Sequence, residues 1–65
     1  MFDDCQAGYD YAKNHAMFQM LPESDLNILR DCYIKLSNNG DDVAKGMALA
    51  VTDIIAERGK NASNK

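Results

Sequence analysis

Two clusters of helix-breaking residues divide this chain into three segments. The first cluster spans residues 21–25 and contains the single proline, and the second spans residues 37–41 and contains a glycine. Within each segment, apolar residues recur every three or four positions, and they nowhere alternate over the length of a strand. This pattern predicts an all-α protein, a small bundle of three short helices at about residues 3–20, 24–38 and 41–58.

Residues in the two clusters are suited to begin and end these helices. Ser24 is a candidate N-cap of the second helix, because its hydroxyl oxygen can accept a hydrogen bond from an amide of the first turn. Asn39 or Gly40 can take the left-handed conformation that ends this helix. Asp41 can then cap the third helix, where its carboxylate also favours the positive end of the helix dipole.

The length of 65 residues fits one small domain. We expect this domain to cover residues 1–59, because Gly59 is a suitable residue to end the third helix. Residues 60–65 are polar, and we expect them to form a disordered tail.

The second and third predicted helices each have one apolar face. A rotation of about 100° per residue brings a set of apolar residues in each helix to the same side. In the third helix, Gly46 and Ala50 also form a groove of small residues where a neighbouring helix can approach closely. The faces consist of Leu26, Leu29, Cys32, Tyr33 and Leu36 in the second helix, and of Val43, Met47, Ala50, Val51 and Ile54 in the third.

The first segment differs because it has two apolar stripes on opposite sides. A helix on the surface of a monomer needs only one. A single core in a chain this short supplies about 3–5 kcal/mol, and this chain has no framework of disulfides or metal ligands. We therefore expect a homodimer. The two stripes are Phe2, Cys5, Tyr9, Ala12, Ala16 and Met20, and Ala7, Tyr11, His15 and Phe18.

The charges disfavour binding to nucleic acid. The chain has ten acidic and seven basic residues, with a formal net charge of −3. The basic residues are scattered, whereas binding to a phosphate backbone needs a concentrated basic face. We therefore expect a partner other than DNA or RNA.

We expect a cytoplasmic protein that does not enter a membrane. No apolar stretch is nearly as long as the roughly 20 residues needed to span a bilayer. The first residues also lack the basic and apolar regions of a secretion signal. In the cytoplasm, the two cysteines, Cys5 and Cys32, are expected to remain reduced thiols.

No group of residues has the spacing of a catalytic, metal or cofactor site, so we expect neither an enzyme nor a cofactor. His15 is the only histidine, and its aromatic neighbours favour a packing role over metal binding. Cys32 on a core face is typical of an inert thiol rather than of a nucleophile activated by His15. The acidic pairs at residues 3–4 and 41–42 lie where helices begin, and acids there stabilise the helix dipole.

By elimination, the sequence favours a small regulatory protein that binds another protein and inhibits or modulates it. Aromatic residues are frequent anchors of such contacts, and nearby acids suit a basic partner surface. Ile34 and Leu49 lie off the main apolar faces of their helices and are further candidates for the contact. The predicted interface, with the partner or within the dimer, consists of Tyr11, His15, Phe18, Asp4, Asp10, Ile34 and Leu49.

Two other functions stay open. The second and third helices, joined by a short turn with a glycine, permit a helix-turn-helix transcription regulator that binds DNA. Against this, the would-be recognition helix offers only Lys45 and Thr52 on its outer side. A structural subunit of a larger assembly is the third interpretation. The leading interpretation also fits the small size and acidity of a phage- or plasmid-encoded modulator of a host protein.

Overall fold

The computed structural model describes residues 3–63 of the chain, with side chains up to Lys60. In this part of the chain all regular structure is helical, which confirms the all-α prediction. Phe2, in the first apolar stripe, lies outside the described residues, as do the last two residues of the predicted tail. The helices are α1 (Asp4–Asn14), α2 (Ala16–Met20), α3 (Glu23–Asn38) and α4 (Asp42–Ser63).

The chain breaks at His15, so two helices replace the single one predicted over residues 3–20. His15 has an extended backbone, with φ −82° and ψ 122°. Side chains satisfy backbone groups that the break leaves without helical partners. The Gln19 side-chain amide donates to the Lys13 carbonyl at 2.7 Å, at the end of α1. His15 Nδ1 accepts from the Met17 amide at 3.2 Å, at the start of α2.

The break changes which side chains of the first segment are buried. In α1, Ala12 is buried and Cys5 and Tyr9 are half-buried, so this part of the first stripe faces the interior. In α2, the buried side chain is Phe18 of the second stripe, whereas Met20 of the first stripe is 82% exposed. One core therefore draws on both stripes. The two-sided helix from which the sequence predicts a homodimer does not form.

α3 begins one residue earlier than the sequence predicts. Its first residue is Glu23, and the preceding Pro22 has no capping side chain. The Pro22 carbonyl accepts from the Leu26 amide at 3.1 Å, so Ser24 lies inside the first turn and is not the N-cap. Pro22 suits the start of a helix because its φ of −60° is already helical and its nitrogen has no hydrogen to satisfy.

The turn between α3 and α4 has the predicted chemistry. Gly40 has a φ of 100°, in the left-handed region that ends many helices. Its amide donates to the Ser37 carbonyl at 3.0 Å, and the next amide, of Asp41, donates to the Leu36 carbonyl at 3.1 Å. Asp41 Oδ1 accepts from the Ala44 amide at 3.0 Å, which confirms the predicted cap of α4.

α4 is longer than predicted, because it continues through Gly59 to Ser63. Gly59 does not have the positive φ that ends α3 at Gly40, so the helix is not interrupted there. Residues 60–63, predicted as part of a disordered tail, are its last turn. Within residues 3–63, no helix combines the length and the apolar character needed to cross a membrane.

α4 is the central helix, and α1 and α3 pack against it. α1 runs parallel to α4, since Tyr9 bonds to Asp53 and, four residues later in both helices, Lys13 bonds to Glu57. α3 runs in the opposite direction, because the short turn at residues 39–41 reverses the chain.

Small residues allow α1 and α4 to approach closely, as the groove at Gly46 and Ala50 predicts. A Cβ atom at Gly46 would overlap the Cys5 carbonyl of α1, and a Cβ atom at Gly8 would overlap the Val43 carbonyl of α4. Ala50 has no exposed surface. At this crossing, backbone therefore lies directly against backbone.

The core formed by these helices is small. In the described part of the chain, eight hydrophobic residues are buried, and half of them are alanines. Alanine buries little apolar surface, so most of the apolar burial depends on the four larger side chains. The buried residues are Ala12, Phe18, Leu26, Ala44, Ala48, Ala50, Val51 and Ile54.

Three of the five residues of the predicted apolar face of α3 join this core. Leu26 is buried, and Leu29 and Tyr33 pack against the core from its edge. Cys32 and Leu36, predicted on the same face, are exposed. The apolar face of α3 is wider than the part that the neighbouring helices cover, and these two residues lie beyond the covered side.

Candidate protein-binding surfaces

Large apolar side chains are more often exposed than buried in the described part of the chain. Four are buried, whereas eight are at least 41% exposed. Single exposed apolar residues are normal, but a set twice as large as that of the large buried side chains indicates surfaces that contact other molecules. The exposed residues are Tyr11, Met17, Met20, Ile28, Ile34, Leu36, Val43 and Leu49.

Three of the predicted interface residues form one ring cluster beside the break after α1. The His15 ring lies 5.1 Å from the Tyr11 ring and 5.7 Å from the Phe18 ring, between their centroids. Tyr11 and Phe18 meet edge to face at 6.4 Å. Phe18 also contacts Tyr33 of α3 at 6.5 Å, and it is only 2% exposed. Phe18 therefore belongs to the core, and Tyr11 is the exposed ring of the cluster.

Tyr33 anchors this cluster to α3. Burial raises the pKa of the Tyr33 hydroxyl above its ordinary value, and the nearby Tyr11 adds to the shift. The half-buried Tyr33 ring therefore connects the cluster to α3 through Phe18, while the Tyr11 side chain remains 56% exposed.

Two acids of the predicted interface, Asp4 and Asp10, lie on α1 before Tyr11. Asp4 lies seven residues before Tyr11, about two turns along the same side of α1, and its side chain is exposed. Asp10, also exposed, accepts a hydrogen bond from the Gln6 side chain at 2.9 Å. We call Asp4, Asp10, Tyr11 and His15 the aromatic surface.

Ile34 and Leu49 are exposed, as their positions in the sequence predict, with 43% and 49% of their surfaces accessible. They lie on different helices, α3 and α4, and neither is part of the ring cluster. Leu49 is four residues from both Lys45 and Asp53 on α4, and all three residues are exposed. The structure does not bring them together with Tyr11 into one site.

A second apolar surface was not among the predicted interface residues. Ile28, Cys32 and Leu36 follow one another at intervals of four, and all three are exposed. We call them the α3 stripe. At one end, Ile28 lines a shallow depression of about 270 Å³ with Leu21, Asp25 and Leu29. The four-residue spacing is visible in the sequence, but the pattern does not show which part of the apolar face the other helices leave uncovered.

Polar side chains close the contact between α1 and α4. Tyr9 Oη donates to Asp53 Oδ2 at 2.5 Å, and Lys13 Nζ donates to Glu57 Oε2 at 2.6 Å. The hydrogen bond to Asp53 raises the pKa of Tyr9, because it favours the protonated hydroxyl. The bond to Glu57 raises the pKa of Lys13 in the same way. These four side chains form a polar seam that stabilises the parallel helix pair.

The chemistry of the single histidine is set by its place in the backbone. His15 Nδ1 accepts a backbone hydrogen bond, so the neutral ring carries its proton on Nε2 and offers no free acceptor to a nucleophile.

Cys5 is half-buried and Cys32 exposed, and both are free thiols. Among the described residues, no three histidine, cysteine or acidic side chains are grouped as metal ligands.

Neither of the two surfaces can be interpreted through a known relative. Comparisons with models of protein families, with curated proteins and with solved structures find no match to this chain.

Proposed function

We propose that this chain is a small acidic regulatory protein that binds another protein and modulates its activity. The observation that carries the proposal is Tyr11, which is 56% exposed although its ring lies against those of His15 and Phe18. Because these contacts restrain the ring, its binding to a partner costs little side-chain entropy. Restrained, exposed aromatic rings are frequent anchors of protein–protein contacts.

A basic partner surface fits this site best. Asp4 and Asp10 are exposed on α1, and both precede Tyr11 along the helix. The formal net charge of −3 adds a negative field that attracts basic proteins over a longer range. An arginine or lysine of the partner can lie on the Tyr11 ring and pair with one of the acids.

The helix-turn-helix alternative has less support. A recognition helix enters the DNA groove, whereas α4 is the central helix, packed by α1 and α3. Its outer side carries Lys45 beside the apolar Leu49, and the neighbouring Asp53 is bonded to Tyr9 of α1, so the helix lacks the excess of positive charge that phosphate contacts need. In the test described next, DNA binding would therefore speak against the proposed function.

Affinity capture from the source cells, followed by calorimetry with the captured protein, tests the proposal. Tyr11→Ala should weaken binding about fivefold or more, which corresponds to about 1 kcal/mol, because it removes the anchor and leaves the core intact. Asp4→Lys should mainly slow association, and added salt should reduce its effect. Leu49→Ala is the matched control, since it removes an exposed apolar side chain from α4.

Circular dichroism has to show that each variant keeps its helices. Equal affinities of Tyr11→Ala and the unmodified chain would place the interface elsewhere, and weakening by Leu49→Ala instead would place it on α4. Tight binding to DNA with a steep dependence on salt would favour the helix-turn-helix alternative.

A further inference from the structure

The α3 stripe is an apolar helix face that no described part of the chain covers. Ile28 is 61% exposed and Leu36 46% exposed, and Cys32 between them is exposed as well. Leu29 borders the stripe and contacts the core, so the stripe is continuous with the interior of the protein. Such a face is typical of a helix that packs against another helix.

We propose that the α3 stripe is the interface of a homodimer, in which the α3 helices of two copies pack antiparallel about a two-fold axis at Cys32. In a two-fold interface, a contact between one residue of the first copy and another residue of the second copy also occurs with the two copies exchanged. Ile28 and Leu36 lie at equal distances from Cys32, about 6 Å along the helix. Along the helix axis, Ile28 of one copy therefore comes level with Leu36 of the other, and Cys32 comes level with its own equivalent.

The charges beside the stripe support a second copy as the occupant. Asp31 and Lys35 lie on the same edge of the stripe, about 100° and 60° from Cys32 around the helix. In the antiparallel pair, Lys35 of one copy comes level with Asp31 of the other to within about 3 Å along the axis. The contact thus brings two pairs of opposite charges together, at either side of the two-fold axis.

The opposite edge of the stripe is apolar. Leu29 and Leu36 lie about 60° and 40° from Cys32 on that side, so Leu29 of one copy reaches Leu36 of the other. A foreign basic partner would gain little from an edge that carries one acid and one base. The stripe is complementary to itself, whereas the aromatic surface is acidic.

The small core is a second reason for self-association. Only Phe18, Leu26, Val51 and Ile54 are large buried side chains in the described part of the chain. Domains of this size commonly gain stability from oligomerisation. The dimer uses α3 and leaves Tyr11 on α1 accessible, so the proposed function and the dimer can fail independently.

Sedimentation equilibrium at concentrations up to about 100 μM, the range suited to a small interface, tests the dimer. The unmodified chain should have about twice the mass of one chain. Cys32→Glu should be monomeric, because it brings two carboxylates together at the axis, and circular dichroism should show that it stays helical. Leu49→Glu, which adds the same charge on α4, should remain a dimer. A monomeric unmodified chain, or a Cys32→Glu dimer, would overturn the proposal.

Oxidation by diamide tests the antiparallel register. In the Cys5→Ala chain, two Cys32 thiols should lose their hydrogens to diamide, which becomes the hydrazine, and form one intermolecular disulfide. In a Cys5→Ala/Cys32→Ala/Ile28→Cys chain, the thiols at position 28 lie about 12 Å apart along the axis and should not cross-link. Cross-linking at position 28 would indicate parallel helices and contradict the two-fold arrangement.

A charge exchange tests the edge pairs. Lys35→Glu should raise the dissociation constant of the dimer several-fold, because it replaces two attractive pairs with repulsive ones. Asp31→Lys/Lys35→Glu should restore the affinity by exchanging the two charges. Failure of the double variant to recover would show that these edges do not face each other.

Discussion

The two glycines of α4, Gly46 near its start and Gly59 near its end, face very different surroundings. At Gly46, the backbone of α1 lies so close, at Cys5 and Tyr9, that a side chain has no room. At Gly59, nothing lies within 4 Å of the position of a Cβ atom. Glycine inside a helix lowers the stability by about 0.5–1 kcal/mol relative to alanine. Packing requires this glycine at position 46, whereas at position 59 it only destabilises the helix.

The same substitution should therefore have opposite effects at the two positions. Gly46→Ala should lower the free energy of unfolding by about 1–3 kcal/mol, because the added methyl group forces α1 away from α4. Gly59→Ala should raise it by about 0.5–1 kcal/mol. Urea unfolding monitored by circular dichroism measures both changes. If Gly46→Ala were as stable as the unmodified chain, the close contact of the two backbones would be contradicted.

At the scale of helices, the sequence predicts those turns and caps that depend on residues close together in the chain. The turn at Gly40 and the cap at Asp41 depend on neighbouring residues, and both are found as predicted. The break at His15 is accompanied by a contact between residues distant in sequence, that of Phe18 with Tyr33. No periodic pattern contains that information.

The candidate surfaces likewise combine features that the sequence predicts with features that depend on how the helices pack. The exposure of Tyr11 and Leu49 is consistent with their predicted places off the core. The apolar face of α3 predicts a buried Cys32, but Cys32 is exposed. The position of the neighbouring helices decides that this part of the face stays uncovered. The sequence predicts that a face is apolar, whereas the assembled bundle determines how much of it is hidden.

The break between α1 and α2 leads to a prediction about His15. His15→Ala should lower the free energy of unfolding by about 1–2 kcal/mol, since it removes the acceptor for the Met17 amide and the ring contacts. His15→Asn keeps an N-cap acceptor and should recover part of this loss. Thermal unfolding of the three chains measures the difference. Equal losses in both variants would mean that the ring contacts, and not the cap, stabilise the break.

At the scale of the whole molecule, the polar seam links the first long helix to the last. In the folded chain, Tyr9 and Lys13 hold their protons more tightly than usual, because the protonated groups donate to Asp53 and Glu57. The stabilisation is fully present below the ordinary pKa values of tyrosine and lysine, and it is lost as the pH rises through the raised values of the folded chain.

Alkaline pH should therefore weaken the fold through this seam. Between about pH 9 and pH 11 the melting temperature of the unmodified chain should fall more steeply than that of Tyr9→Phe/Lys13→Met. Between about pH 6 and pH 8 the difference between the two chains should stay constant, which serves as the control. Parallel curves over the alkaline range would exclude a contribution of these protons to stability.

The pairing of α1 with α4 also determines the order in which the protein can assemble. The two bonds of the seam each join residues 44 positions apart, so closing this contact costs more chain entropy than forming the short α3–α4 hairpin. We expect the hairpin to form first and α1 to dock onto it later. On the ribosome, α1 is synthesised before α4, and the groove at Gly46 that receives it follows about forty residues later. α1 therefore cannot be buried in this groove until α4 has been synthesised.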